Sequence, residues 1–288
     1  MINKHTPPST VATVETMVIE QSKATKPRRN RHVWSWVILI IGLIYFFLPL
    51  IAVFEFSLRA KRGVYSFEAY RVAFQDPAFY LNFGLSLVWA VLTIIVSLVL
   101  IVPTAYWVHL RMPRWKPVVE FFTLMPFVVP AVVLVFGMAR LYGRYPTDFI
   151  VSTPIALIAG YTVLSFPYIF RAVDAGLRAI DVRTLTEAAQ SLGASWPVIL
   201  FQVIFHNLRV AILSGVFLTF AIVMGEFTFA ALLSKKAFGV YMEEIGAMRA
   251  YTPQALAVVS FLITWGCIAA INRIARGAPG QGQIGGVR

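Results

Sequence analysis

Glu226 is the one acid deep within a long apolar stretch, in the run Met224-Gly225-Glu226-Phe227-Thr228. A charge at the centre of a bilayer costs roughly 2.5–3.5 kcal/mol even on lenient insertion scales. Its side chain therefore belongs in a bundle interior or a water-filled path. Gly225 allows close backbone approach or local unwinding, and Thr228 adds a hydroxyl. Two readings follow: a gate or substrate-path group, or a polar clamp, in its protonated or charged form, that ties two helices together. A second constellation is Glu187-Ala188-Ala189-Gln190-Ser191-Leu192-Gly193. It begins with a helix-starting acid, continues with two small residues that allow close approach, and ends in a glycine suited to a left-handed helix terminus.

Neither group makes an enzyme. The chain has no His-Glu-x-x-His, no Gly-x-Ser-x-Gly and no phosphate-binding Gly-x-x-x-x-Gly-Lys. Its four histidines stand apart at positions 5, 32, 109 and 206. The single cysteine, Cys267, lies in an apolar run, which excludes an intrachain disulfide and a cysteine metal site. No ligand set for a metal is apparent, and no cofactor is expected on this chain.

The elements that must carry these residues are membrane helices. Of 288 residues, 59% are hydrophobic and only 13% charged, and the mean hydropathy is +0.75. Soluble domains carry about 25% charged residues. Six stretches approach or exceed the ~20 apolar residues that cross a bilayer: 33–54, 83–108, 118–138, 150–170, 210–233 and 253–271. The fold class is therefore all-α, polytopic, with a transmembrane domain over 33–275 between tails at 1–32 and 276–288. The first stretch is too long for a cleavable signal, and no small-residue cleavage site follows it.

Sixteen Lys and Arg fall on the side of the termini against nine on the other, which places both termini in the cytoplasm. Lys26, Arg28, Arg29 and Arg31, directly before the first stretch, weigh most and suit anionic lipid headgroups. Although the net charge is +12, its location speaks for membrane lipid, not nucleic acid. Pro49, Pro103, Pro126, Pro130 and Pro167 are expected to interrupt helices. Trp34, Trp36, Trp107, Trp115 and Tyr45 are expected to sit in the interfacial belt.

Two connections are more than turns. The segment 55–82 holds a short amphipathic helix, with Ser66 as its cap, on the membrane surface or under a partner. The segment 171–208 is rich in helix formers. The fourth stretch continues through Leu177. Thr184-Leu185-Thr186-Glu187 then fits a capping box, Gly193 ends the helix, and Ser195-Trp196-Pro197 restarts one. So short a helix needs a docking surface: its own bundle or another subunit.

These residues resemble the EAA loop of ABC-importer permeases. The resemblance rests on Glu187-Ala188-Ala189-x-x-x-Gly193, on Phe166-Pro167-Tyr168 and Arg171 before it, and on Gly176-Leu177-Arg178-Ala179-Ile180-Asp181 leading in. Ser191-Leu192-Gly193-Ala194-Ser195 follows, and the loop lies before the penultimate stretch. The chain departs from the family pattern at His206, which stands where a proline is usual, so a proline-driven kink is not expected there. His206 itself is read as an interfacial polar residue.

The resemblance implies a type I importer permease of the spermidine/putrescine kind, in a bacterial inner membrane. Glu187, Ala188, Ala189 and Gly193 would form a coupling helix seated in a cytoplasmic ATPase subunit. Ala188 and Ala189 would fill the close contact. ATP and Mg2+ would be bound by that ATPase dimer. A second permease, expected to be a different chain, and an extracytoplasmic solute-binding protein would complete the importer. A Gly-Glu-Phe sequence in the fifth stretch is similar to several small-solute permeases of this class, which favours the path reading of Glu226. The solute is of the polyamine type, with aminophosphonate, iron or another small solute as alternatives. A stand-alone secondary transporter or channel is the rival.

Overall fold

The structure is a computed structural model that describes residues 29–61 and 63–276. The tail residues 1–28 and 277–288, with Lys26 and Arg28, lie outside the described residues, as does the Cys267 side chain. Residues up to Ala52 and from Val53 onward form two compact units. The first holds most of α1 (Arg29–Ser57), whose apolar side chains are exposed, Tyr45 at 82%.

The second unit follows in order with α2 (Glu68–Gln75), α3 (Pro77–Arg111), α4 (Lys116–Val128), α5 (Ala131–Tyr142), α6 (Asp148–Ser152), α7 (Ile155–Arg178) and α8 (Val182–Ser191). Next come α9 (Trp196–Asn207), α10 (Arg209–Gly225), α11 (Thr228–Leu232), α12 (Phe238–Met248) and α13 (Thr252–Arg276). Three helices are long and apolar enough to cross a membrane alone: α1 from Trp34, α3 and α7. The pairs α4–α5 and α9–α10 are long enough only as bent units, turning by 100° and 79°. The described apolar part of α13 is the shorter Thr252–Gly266. Among the described residues this makes three spans, or five if each bent pair is one span, with α13 the shorter apolar helix at the place of the sixth stretch.

Several boundaries differ from the sequence reading, each for a local reason. Pro49, Pro103, Pro126 and Pro167 lie inside continuous helices. Only Pro130 marks a break, because Val129 before it is extended (ψ 117°), as a residue preceding proline prefers. The expected third span is thus two helices at a sharp angle. The fourth starts at Ile155, after Thr153-Pro154, and runs past Leu177 to Arg178. The expected fifth span ends at Gly225, since Glu226 is extended (ψ 129°). Ser66 does not cap α2, which starts after Phe67 without a side-chain cap. The second span begins at Pro77, six residues early, because Asp76 accepts the Ala78 N–H at 2.9 Å and proline suits the first helical position.

Helices α3, α7 and α10 make the core. One apolar cluster joins Ile101, Tyr106, Ile169, Phe170 and Leu177 with Ile212. A second joins Ala90, Leu157, Tyr161, Val223 and Phe229. Along each helix, buried hydroxyls lie between the two: Thr93 and Ser97, Thr162 and Ser165, and Thr219. The Ser97 and Ser165 hydroxyls meet at 2.6 Å. Small hydroxyl residues permit this closeness where lipid supplies no hydrophobic drive between helices. Gly160 is the tightest point: a Cβ there would stand 2.1 Å from the Phe229 ring.

One end of the core is closed by charge. Asp174 is buried, and the His109 imidazole, the Lys116 ammonium and the Arg178 guanidinium converge on it. His109 Nε2 lies 2.6 Å and Lys116 Nζ 2.9 Å from Oδ1, while Arg178 donates to Oδ2 from Nε at 2.7 Å. This ties the end of α3, the start of α4 and the last turns of α7 to one carboxylate.

Three outcomes follow. Asp174→Ala leaves Lys116 and Arg178 without their shared carboxylate and should destabilise the detergent-purified protein by about 3–5 kcal/mol, read as a lowered thermal midpoint. Arg59→Ala, which breaks the exposed Glu55–Arg59 pair (2.6 Å), should leave that midpoint nearly unchanged. Gly160→Val should cost about 1–3 kcal/mol by overpacking, and Phe229→Leu in the same chain should recover part of that loss.

Candidate functional site

Helix α8 begins three residues before the sequence reading had it. Its cap is Asp181, not Thr184: Oδ1 accepts the Thr184 N–H at 3.1 Å and Oδ2 accepts the Thr184 hydroxyl at 2.7 Å. The same two bonds, the hydroxyl first, hold the Asp181 carboxyl below its ordinary range. Glu187 accordingly does not close a capping box. It accepts from Arg183 Nε at 2.9 Å, one turn back along an exposed face. The earlier start has a packing cause. It places Val182, Leu185, Thr186 and Ala189 on one stripe, and Val182, Thr186 and Ala189 are buried.

That stripe is pinned to the end of α3. Thr186 Oγ1 donates to the Val182 carbonyl at 2.6 Å, so the Tyr106 hydroxyl, 3.0 Å away, donates to Thr186. Beyond the helix, the Trp107 and Trp196 rings lie 5.0 Å apart, and the Arg111 guanidinium stands 5.1 and 5.2 Å from their centroids. Trp107 therefore belongs to a stacked cluster with Trp196 and is more than a belt residue.

The helix ends as its glycine requires. Gly193 has φ +78°. Its N–H reaches the Gln190 carbonyl at 2.8 Å, and the Ala194 N–H reaches the Ala189 carbonyl at 3.0 Å, the two bonds of a Schellman turn. This turn presents Leu192, which is 89% exposed.

The four expected residues therefore divide. Glu187, Ala188 and Gly193 are on the open face. Ala189 is only 8% exposed and faces the chain's own core. Its expected place in an intersubunit contact is corrected: Ala188 and Leu192 are the apolar groups free to meet another surface.

Gly225, Glu226 and Thr228 meet at the break between α10 and α11. Both Glu226 carboxylate oxygens lie 3.0 Å from the Phe229 N–H, so the acid caps the first turn of α11. The buried Tyr161 hydroxyl is nearby without reaching hydrogen-bond geometry. No atom stands within 4 Å of the place a Gly225 Cβ would take. The carboxylate holds its own backbone. The two groups of site residues are separated by the 17-residue α10, about 25 Å of helix.

Asp174 with its three basic partners, the Tyr106–Thr186 bond and the Arg111–Trp107–Trp196 cluster were missed by sequence reasoning. Only Asp174–Arg178, four residues apart, left a local signal. Where Pro was replaced by His206, the chain still bends by 79° between α9 and α10. The bend lies at Leu208, after the π-helical turns Ile199–Ile204. Among the described residues, no group of three or more His, Cys, Asp or Glu could hold a metal ion. A groove of about 410 Å³ lined by Arg59, Lys61, Gly63, Val64, Tyr65 and Tyr251 shares no residue with either site.

Comparison with known proteins agrees with this architecture. Residues 101–277 match the family described as binding-protein-dependent transport system inner membrane component. A probable molybdenum ABC transporter permease protein of Haloferax volcanii is 29% identical over 52% of this chain and 57% of its own length. The spermidine/putrescine transport system permease protein PotB of Haemophilus influenzae is 25% identical over 70% of this chain and 75% of its own. In fold, the chain is similar to one in the crystal structure of a bacterial ABC transporter involved in the import of the acidic polysaccharide alginate. The TM-score is 0.62 at 16% identity, covering 89% of this chain and 99% of that one. A second alginate transporter structure, in complex with its alginate pentasaccharide-bound periplasmic protein, gives 0.63 at 13%, covering 85% and 95%. The family match spans well over half of the chain, and the multi-pass helical bundle carries it: this protein belongs to the binding-protein-dependent transport system inner membrane components, the permeases of ABC importers.

Proposed function

We propose that this chain is the transmembrane permease subunit of a binding-protein-dependent importer that moves a small solute by ATP-driven alternating access. The observation that carries the proposal is the two-sided character of α8. One face is sealed onto the bundle by Val182, Thr186 and Ala189. The other offers Glu187, Ala188 and the exposed Leu192. A rigid element attached on one side and free on the other can carry differential contacts between two states. The free side is the docking face for a cytoplasmic ATPase subunit, which as a dimer binds ATP and Mg2+. Both termini are then cytoplasmic, in accord with the Lys and Arg bias, and the membrane is the bacterial inner membrane.

A second permease, a different chain, and an extracytoplasmic solute-binding protein complete the assembly. The binding-protein complex of the alginate relative supports the latter. Other relatives include a methionine import permease and a probable sulfate transport permease. Among these solute classes polyamine comes first, because the polyamine relative matches over more of this chain than the molybdenum, methionine or sulfate relatives do. Glu226, with Gly225 and Thr228, lines the path: its half-buried carboxylate sits at a helix break, held by one N–H.

Uptake of radiolabelled spermidine into proteoliposomes holding the importer purified from its host should require ATP inside and withstand a protonophore. Gly193→Ile forces a β-branched residue into left-handed backbone, at about 1–2 kcal/mol. It should lower uptake roughly 5- to 30-fold while membrane insertion stays intact. Uptake driven by an ion gradient without ATP would overturn the importer reading. ATP-dependent uptake of molybdate, sulfate or methionine instead of spermidine would overturn only the solute.

A further inference from the structure

Helix α8 carries two apolar stripes, and it buries the less apolar one. Val182, Thr186 and Ala189 face the bundle. Leu185, Ala188 and Leu192, spaced by three and four, form a second stripe about a quarter turn away around the axis. Leu185 borders both stripes, Ala188 is exposed, and Leu192 is 89% exposed. Apolar burial has no preferred direction and rises with the area removed from water. It favours two leucines over a threonine, so it does not choose the face that is buried.

The bonds at the helix ends do not choose it either. Asp181 binds Thr184, Gly193 and Ala194 return to the Gln190 and Ala189 carbonyls, and Arg183 pairs with Glu187. All of these stay within the segment. They set where the helix starts and stops. Among the described residues, one hydrogen bond joins α8 to another helix: the Tyr106 phenol to Thr186, at 3.0 Å. Tyr106 is 1% exposed, Thr186 is 2% exposed, and Thr186 spends its own proton on the Val182 carbonyl. A buried phenol needs an acceptor. Turning the second stripe inward would take that acceptor away.

We infer that Tyr106 is the positioning residue of α8: its phenol, bonded to Thr186, selects the rotation in which Glu187, Ala188 and Leu192 are offered outward. The inference rests on the reading of α8 as the ATPase-docking helix and adds the residue that aims it. A polar contact that fixes one register among apolar alternatives is the best-attested use of a buried polar group.

The first test reads the rotation alone. The full chain, in a Cys267→Ser background and produced without partner subunits, is labelled with a maleimide in inside-out membrane vesicles. Ala188→Cys should react quickly and Ala189→Cys slowly. Adding Tyr106→Phe, which keeps the ring, should speed Ala189→Cys by about 2- to 10-fold, the weight of one neutral hydrogen bond. Adding Leu192→Gln as well, which weakens the competing stripe, should slow it again. Thr186→Ser, which keeps the hydroxyl, should label as the parent does. The second test uses the assembled importer purified from its host. Tyr106→Phe should lower uptake per ATP hydrolysed by a similar factor, with the thermal midpoint close to the parent's. Unchanged labelling of Ala189→Cys in the Tyr106→Phe chain overturns the inference. So does labelling that Leu192→Gln fails to slow, or uptake per ATP at the parent level. Failure of the docking reading would show separately, as an importer purified without an ATP-hydrolysing subunit while the labelling pattern holds.

Discussion

A ten-residue helix cannot hold itself in water. Its nucleation cost outweighs the few hydrogen bonds it can propagate, so α8 exists because its stripe of Val182, Thr186 and Ala189 is sealed against the bundle. Much else follows from that requirement. The Asp181 cap sets where the helix starts, and the Schellman turn at Gly193 sets where it stops. Between them, the register leaves Glu187, Ala188 and Leu192 facing outward. The helix is thus fixed to the bundle on one side and open on the other.

The placement of charge obeys the same economy. Asp174 is buried, yet it is compensated by His109, Lys116 and Arg178 from three elements. A buried pair of this kind is strongly destabilising to break, whatever its net worth to stability, which makes it a good rivet for the ends of α3, α4 and α7. Glu226 is different. It stands where α10 stops, and a single backbone N–H takes its carboxylate. The first acid is locked by an imidazole, an ammonium and a guanidinium. The second is held by its own backbone at a break in the helix.

Hydropathy made the apolar stretches legible in the sequence, because a bilayer demands about twenty apolar residues whatever the tertiary structure. Gly193 was legible for a similarly local reason: a left-handed helix end selects glycine. The breaks were harder. Five prolines looked alike, and only Pro130 parts a helix, since neighbouring helices can support the backbone groups that a proline frees. The start of α8 was misread because Asp181 and Thr184 both have capping side chains, and burial of Val182 decided between them. Ala189 could not be assigned to an inner or outer face until that register was known. The Arg111 stack and the Asp174 cluster join residues dozens of positions apart and leave almost no local pattern.

The central claim is that the open face of α8 meets an ATPase. A cysteine at Leu192, the most exposed apolar residue of this segment, tests it most directly. With Leu192→Cys in a Cys267→Ser background, a short thiol crosslinker is applied to native host membranes and the captured chain is sequenced by mass spectrometry. The account predicts capture of a soluble subunit bearing a phosphate-binding Gly-x-x-x-x-Gly-Lys loop. A thiol that reacts freely with small reagents but captures no such subunit would contradict it.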